Sequence, residues 1–322
     1  MKKLPFIFFG SSDFSIFVLK KILKKYRPLL VITLPPQRKN RGLKLEPNPV
    51  AIFSLKEKIP FIEINDWSDY KEKTRNLDKD FGVIAGFGKI LPEEIIKEFP
   101  KGILNIHPSL LPKYRGPNPI REAILNGDIK TGVTIFLIDN EIDHGPILAQ
   151  KELTLTQKET YLELLEKLGS LGGLLFNEII EDYLLGKIQP KEQEHNKATY
   201  TRKLKKEDGL LSLRENYLKW FRKVRALNPW PGTYLYINLK GEKKILKIFN
   251  LEEIPKTELK PSYQKLKIGQ FFEHRNYLAI KLKDNYLILK EVQLEGRKKM
   301  SSREFLNGYP LESFYLIEND RK

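Results

Sequence analysis

The sequence predicts an α/β protein: a doubly wound, mostly parallel sheet fills the first half and a small β-barrel follows. Three observations carry this expectation. At 322 residues the chain exceeds the usual single core and suits two domains of roughly 100 to 200 residues each. Its first half alternates short apolar runs with helical spacing, as parallel strands joined by helices require. Its last third instead carries short strand-like runs divided by turn or charged residues.

Taken in order, the first-half strands are expected at Leu4–Phe9, Leu29–Thr33, Phe81–Ala85, Ile103–His107, Gly132–Leu137 and Ile147–Lys151. Between them Ser15–Tyr26, Val50–Lys58, Pro92–Glu98 and Pro119–Asn126 show helical spacing. The last two open with a proline, whose fixed φ and missing N–H suit a first helical turn. A longer helix, Thr160–Leu185, closes the half, and a polar stretch follows it. The division expected is therefore 1–188, a linker 189–205, and a second domain 206–315. In that second domain a helix over Ser212–Leu227 stops at Asn228-Pro229-Trp230-Pro231-Gly232, where two prolines forbid continuation. Strands are then expected at Thr233–Asn238, Lys244–Phe249, Gln270–Glu273, Tyr277–Leu282 and Tyr286–Leu294.

Composition narrows the function classes. With 41% hydrophobic and 30% charged residues, and no apolar run near the ~20 residues that span a bilayer, a membrane protein is not expected. The opening MKKLPFIFFG has a short apolar run without a small-residue cleavage pattern, so it reads as a first buried strand and the expected location is cytoplasmic. The absence of cysteine excludes disulfides and thiolate chemistry. The formal charge of +16 is uneven: residues 201–322 hold 27 Lys and Arg against 15 Asp and Glu, whereas residues 1–200 hold 30 against 26. A polyanionic partner gripped by the last third accounts for this, because Lys and Arg gain by displacing counterions from phosphates; a solvated lysine-rich surface would account for it too.

Chemistry concentrates around Asn105 and His107. Alternate strand residues share a face, so both should project from the carboxy end of the Ile103 strand, the edge at which open α/β sheets bind ligands. Asn offers a neutral N–H donor to a developing oxyanion, and His moves protons near neutral pH; the pair suits attack on a carbonyl. A satisfied polar pair at a strand end would look the same. The four histidines, without cysteine, form no ligand cluster at metal spacing, so no metal is expected, and His195 and His274 read as surface residues.

Downstream, Pro108-Ser109-Leu110-Leu111-Pro112-Lys113-Tyr114-Arg115-Gly116 forms an apolar, proline-fixed loop, and Asp143 lies in Glu141-Ile142-Asp143-His144-Gly145-Pro146. This ordered combination resembles the folate-dependent formyltransferases, whose motif reads Asn-x-His-x-Ser-Leu-Leu-Pro-x-x-x-Gly with a later Asp before a glycine turn. Phe8-Phe9-Gly10-Ser11-Ser12-Asp13-Phe14, the basic stretch Arg41-Gly42-Leu43-Lys44-Leu45 and the Asn228–Gly232 turn extend the resemblance along nearly the whole chain. Together with Ala198-Thr199-Tyr200 and Gly296-Arg297-Lys298-Lys299-Met300-Ser301, they are similar to the branch that carries a tRNA-binding carboxy domain and formylates the methionine of initiator tRNA.

The resemblance implies a Rossmann-like formyltransferase domain and an OB-like barrel. It implies 10-formyltetrahydrofolate as co-substrate and initiator methionyl-tRNA as partner; two large domains with a monovalent tRNA substrate suit a monomer, and nothing in the sequence excludes a dimer. Asn105, His107 and Asp143 would be catalytic, with Asp143 orienting His107 and relaying a proton. Gly86, Phe87, Gly88, Ile90, Leu91, Ser109, Leu110, Leu111, Pro112 and Asp139 would hold the folate; Arg38, Lys39, Arg41, Lys44, Arg297, Lys298 and Lys299 would contact tRNA. Pro108, Ser12, His144, Phe87 and Lys89 depart from the branch's usual residues. Alternatives are a formyltransferase for a sugar-nucleotide or ribonucleotide amine, a formyltetrahydrofolate hydrolase, or an RNA-binding protein with an inactive α/β domain; an intact Asn105, His107 and Asp143 argues against the last.

Overall fold

The computed structural model describes residues 2–39 and 44–317, with the backbone alone at Lys2, Lys3, Gln37, Arg38, Lys39 and Lys44. Two compact units emerge, Met1–Ile120 with Ile129–Thr156 and Leu162–Arg202, and Arg121–Asp128 with Gln157–Tyr161 and Lys203–Lys322.

The first unit is built on a seven-stranded sheet of β1 (Phe6–Phe9), β2 (Leu30–Thr33), β3 (Phe61–Glu63), β4 (Phe81–Ile84), β5 (Ile103–His107), β6 (Lys130–Leu137) and β7 (Ile147–Thr154). Its spatial order is β7-β6-β5-β4-β1-β2-β3. Strands β1 to β5 run parallel, and β6 and β7 are antiparallel additions. The order reverses between β1 and β4, which opens a crevice at their carboxy ends. Parallel strands must be covered on both faces, and the two ends of β1, three residues apart and so facing opposite sides, show this. Phe6 stacks on Phe81 at 5.3 Å and lies 6.0 Å from Phe176 on one face, while Phe9 meets Tyr70, Phe87 and Phe99 on the other.

The helices are α1 (Asp13–Ile22), α2 (Pro49–Lys56), α3 (Trp67–Thr74), α4 (Glu93–Ile96), α5 (Pro119–Asn126), α6 (Tyr161–Leu184), α7 (Tyr217–Leu227) and α8 (Ser302–Gly308). Helix α6 comes so close to β5 that a Cβ on Gly172 would sit 2.5 Å from Ile106, the residue between Asn105 and His107. Only glycine allows that approach, so the helix seats the strand that carries the candidate site. The stretch expected as a linker is bound to this unit: Lys191 pairs with Ile147, Thr199 N–H donates to Pro112 O at 3.2 Å, and Thr201 N–H to Arg115 O at 2.7 Å.

The second unit contains an antiparallel sheet of β8 (Thr233–Leu239), β9 (Glu242–Glu253), β10 (Phe271–His274), β11 (Tyr277–Lys281), β12 (Tyr286–Leu294), β13 (Met300–Ser301) and β14 (Phe314–Leu316), ordered β10-β11-β12-β9-β8-β14 with β13 on β12. Register shifts between Ile248 and Leu251 break the β9–β12 ladder, and such bulges bend a sheet and let it curl. Trp220 and Phe305, fully buried, anchor the core on one face. The preceding helix starts at Tyr217, later than expected, because the Asn216 side chain accepts the Lys219 N–H at 2.9 Å and caps it. His274 is a correction: it is 4% exposed, held between Tyr263 Oη at 3.0 Å and Glu258 at 3.1 Å, and not a surface residue.

Candidate active site

Strand β5 ends beside β4 and β6, with Asn105 opposite Ile84 and His107 opposite Thr134. Asn105 is half-buried and His107 is 5% exposed. Asp143 arrives from the loop between β6 and β7 with φ 50°, the left-handed region that is uncommon for residues other than glycine. Its carboxylate accepts the Gly116 N–H at 2.7 Å and the Asn105 Nδ2–H at 3.3 Å, and lies 3.6 Å from His107 Nδ1. All three residues expected to be catalytic therefore meet at one point.

The ring of His107 has a defined proton arrangement. Its Nε2 is 3.0 Å from the Tyr114 carbonyl oxygen, which only accepts, so Nε2 carries a hydrogen. The exchangeable position is then Nδ1, which faces Asp143. Asn105 spends one Nδ2 hydrogen on Asp143 and keeps a second for another acceptor.

The 108–116 loop over this cluster is fastened from below. Buried Thr134 donates to Ser109 O at 2.7 Å and accepts the Leu111 N–H at 3.0 Å. Gln150 donates to both Leu111 O at 2.8 Å and Thr134 Oγ1 at 2.9 Å. The Ser109 hydroxyl, donating to Lys113 O at 2.6 Å, is committed within the loop, and Leu111 is buried while Leu110 and Pro112 are half-buried. Gly116, at φ 103°, would place a Cβ 2.9 Å from Thr201 O, so glycine alone presents its N–H to Asp143 unstrained.

Residues 86–91 border the crevice between β1 and β4. Gly86 and Gly88 take positive φ and are exposed, Phe87 and Leu91 face the core, and Ile90 is 79% exposed. Ser11 ties the first turn to this segment through Gly86 O and Phe87 O. Asp139 is exposed and accepts from His144 Nδ1 at 2.7 Å. Arg38, Lys39 and Lys44 fall on a short hairpin of Gln37–Lys39 and Lys44–Glu46, and Arg41 lies outside the described residues. Arg297, Lys298 and Lys299 occupy an exposed turn of the second unit, where Lys299 pairs with Glu291 at 3.0 Å. Among the described residues no group of His, Asp and Glu is placed to hold a metal ion.

Sequence reasoning missed the supports. Thr134, Gln150, Gln193 and Thr199 act through backbone groups far away in the chain, and Arg115 through the distant Gln193 side chain, and no local spacing announces such partners.

A seven-stranded α/β sheet with Asn, His and Asp joined at a carboxy edge, followed by an antiparallel curled sheet, defines the class. Residues 2–180 match the formyl transferase family and residues 203–310 its C-terminal domain, and the chain belongs to this family. Its relatives include a methionyl-tRNA formyltransferase of Thermodesulfovibrio yellowstonii, 36% identical over 94% of this chain and 95% of that protein. Another, from Caldanaerobacter subterraneus subsp. tengcongensis, is 31% identical over 97% and 99%. Among solved structures, the N-formyltransferase of Helicobacter canadensis, in complex with folinic acid and dTDP-3-aminofucose, superposes with a TM-score of 0.62 at 19% identity, covering 89% of this chain and 98% of that one. HypX from Aquifex aeolicus aligns with a TM-score of 0.63 at 16% identity, over 95% of this chain and 49% of its own.

Proposed function

We propose that the chain transfers a formyl group from 10-formyltetrahydrofolate to the α-amine of methionine on initiator tRNA, the step that prepares this tRNA for translation initiation. The observation that carries the reading is full-length similarity to methionyl-tRNA formyltransferases, in a chain whose Asn105, His107 and Asp143 converge. Sugar N-formyltransferases share the fold at under 25% identity, which favours them less as a functional guide. We take the first unit as a Rossmann-like catalytic domain and the second as an OB-like RNA-binding domain, with the strongly basic 201–322 segment meeting phosphates.

In this reading the neutral amine attacks the formyl carbon, the new C–N bond forms, and the bond from carbon to the folate N10 breaks. The free Nδ2 hydrogen of Asn105 stabilises the oxyanion. Asp143 and the exchangeable Nδ1 of His107 take the proton that leaves the amine and return one toward the leaving nitrogen. The residues at 86–91 fit a flat folate ring, since two glycines leave the backbone open and Ile90 offers an exposed apolar side chain. Ser109 serves through its place in the loop, not as a nucleophile, because its hydroxyl is already spent on Lys113 O.

The test is transfer of labelled formyl to methionine-charged initiator tRNA, with elongator methionyl-tRNA as control. His107→Ala and Asp143→Asn are expected to lose about 10²-fold or more in rate with the fold retained. Normal turnover by folded variants would remove both residues from the mechanism. Folate consumption without transfer to tRNA would move the chain to the hydrolase or small-amine reading.

A further inference from the structure

We propose that Gln193, oriented by Arg115, is a positioning residue for Asp143, so that the segment after helix α6 completes the active-site loop. The inference rests on the reading of Asp143 as catalytic. Gln193 is 5% exposed and Arg115 is 2% exposed. The Gln193 Nε2 donates to Asp143 O at 3.0 Å and to Gly145 O at 2.7 Å, gripping the backbone on both sides of His144. Its Oε1 accepts from Arg115 Nε at 3.3 Å and from a terminal Arg115 nitrogen at 2.8 Å.

This arrangement admits one amide orientation. A guanidinium only donates and carbonyl oxygens only accept, so turning the Gln193 amide over would set donor against donor and acceptor against acceptor. The buried Arg115 charge also polarises the amide and strengthens what its N–H groups give to the loop. Arg115 is itself anchored at its backbone by Thr199 O and Thr201, and its guanidinium reaches His195 Nδ1 at 2.8 Å and Tyr200 Oη at 3.3 Å. His195 in turn stacks on His144, with ring centroids 4.0 Å apart.

The loop needs such a clamp. Asp143 has a left-handed backbone at φ 50°, which costs free energy for a residue with a Cβ and persists only when the surroundings over-determine it. The same arginine leads directly into Gly116, whose N–H holds the Asp143 carboxylate. Arg115 and Gln193 thus fix both the backbone and the side chain of one residue. Neither touches the reacting atoms in this reading, so their loss should slow chemistry without weakening substrate binding.

The experiment compares formyl transfer by wild type, Gln193→Met, Gln193→Glu and Asp143→Asn, with the melting temperature of each. Gln193→Glu is the decisive variant, because a carboxylate still satisfies Arg115 yet cannot donate to the two loop carbonyls. The expected result for both Gln193 variants is a kcat lowered about tenfold or more, with KM for folate and for tRNA within about twofold of wild type. If Gln193→Met fails to fold, Gln193→Glu carries the test, supported by Arg115→Lys, which keeps the charge and loses the fork. A wild-type kcat in folded Gln193→Glu, or a raised KM with kcat unchanged, overturns the inference while Asp143→Asn stays inactive. A wild-type rate in Asp143→Asn would instead overturn the reading beneath it.

Discussion

At the scale of single residues, the site divides into groups that could do chemistry and groups that hold them. Asn105 and His107 were legible because strand periodicity alone puts them on one face. Asp143 became legible through the motif around it, since no spacing rule links a loop residue to a strand 36 positions earlier. Thr134 was invisible, because its role is to satisfy backbone groups of Ser109 and Leu111 and the Gln150 amide. Replacing it by the near-isosteric valine leaves buried polar groups unpaired, each costing about 1–3 kcal/mol. Thr134→Val is therefore expected to lower the melting temperature and to cut kcat as the 108–116 loop loosens, both read from one preparation. An unchanged kcat would show that Gln150 and Thr199 suffice to hold the loop. His274 marks the opposite failure: it lies beside Arg275 in a charged stretch that looks solvated, but its partners Tyr263 and Glu258 come from a segment more than ten residues earlier.

At the scale of elements, apolar runs set off by turn or charged residues were readable, and elements without a periodic pattern were not. Strands β1, β2, β4 and β5 appear within two residues of expectation at either end, because continuous apolar sequence leaves little choice in a sheet buried on both faces, and β10, β11 and β12 of the second unit, the last with mixed burial, fall as close. Strand β3 has only three residues, and helix α3 is largely polar, with just Tyr70 and Thr74 buried, so neither carries a periodic signal. Capping explains where such elements hold. Asp66 caps α3, and its carboxyl is held below the usual range by the Ser68 hydroxyl first and then by the Asp69 backbone N–H. Glu304 closes the capping box of α8 and is lowered by the Ser301 backbone N–H first and its hydroxyl second. A depressed folded-state pKa contributes stability above the unfolded carboxyl value, and that contribution is lost as pH falls through the folded value. Both helices are thus expected to loosen below about pH 4. The double variant Asp66→Asn, Glu304→Gln keeps the hydrogen-bonding shape but cannot titrate, so its melting temperature should fall less between pH 7 and pH 3 than that of wild type. An identical fall would remove the caps from the acid response.

At the scale of the whole molecule, charge is what the sequence showed and what local structure qualifies. The excess of 27 basic over 15 acidic residues in 201–322 does not translate into that many free cations. Lys223, Lys244, Lys290 and Lys299 each lie within 3.0 Å of a carboxylate, and such pairs are already partly neutralised before any polyanion arrives. Each cation that meets a phosphate adds roughly 0.9 to the slope of log affinity against log salt on a duplex. In the exposed 297–299 turn, a phosphate contact by Arg297 or Lys298 therefore predicts a shallower slope for tRNA in Arg297→Ala or Lys298→Ala. Lys299→Ala should change it less, because Glu291 already holds that ammonium. The measurement is KM for methionyl-tRNA from low to moderate salt, with kcat followed in parallel. A phosphate-binding surface requires KM to rise steeply with salt while kcat at saturating tRNA stays level, since screening weakens encounter and binding but acts little on contacts as short as those joining the half-buried Asn105 and Asp143 to the buried His107. Equal slopes for wild type and all three variants would remove the 297–299 turn from the tRNA contacts.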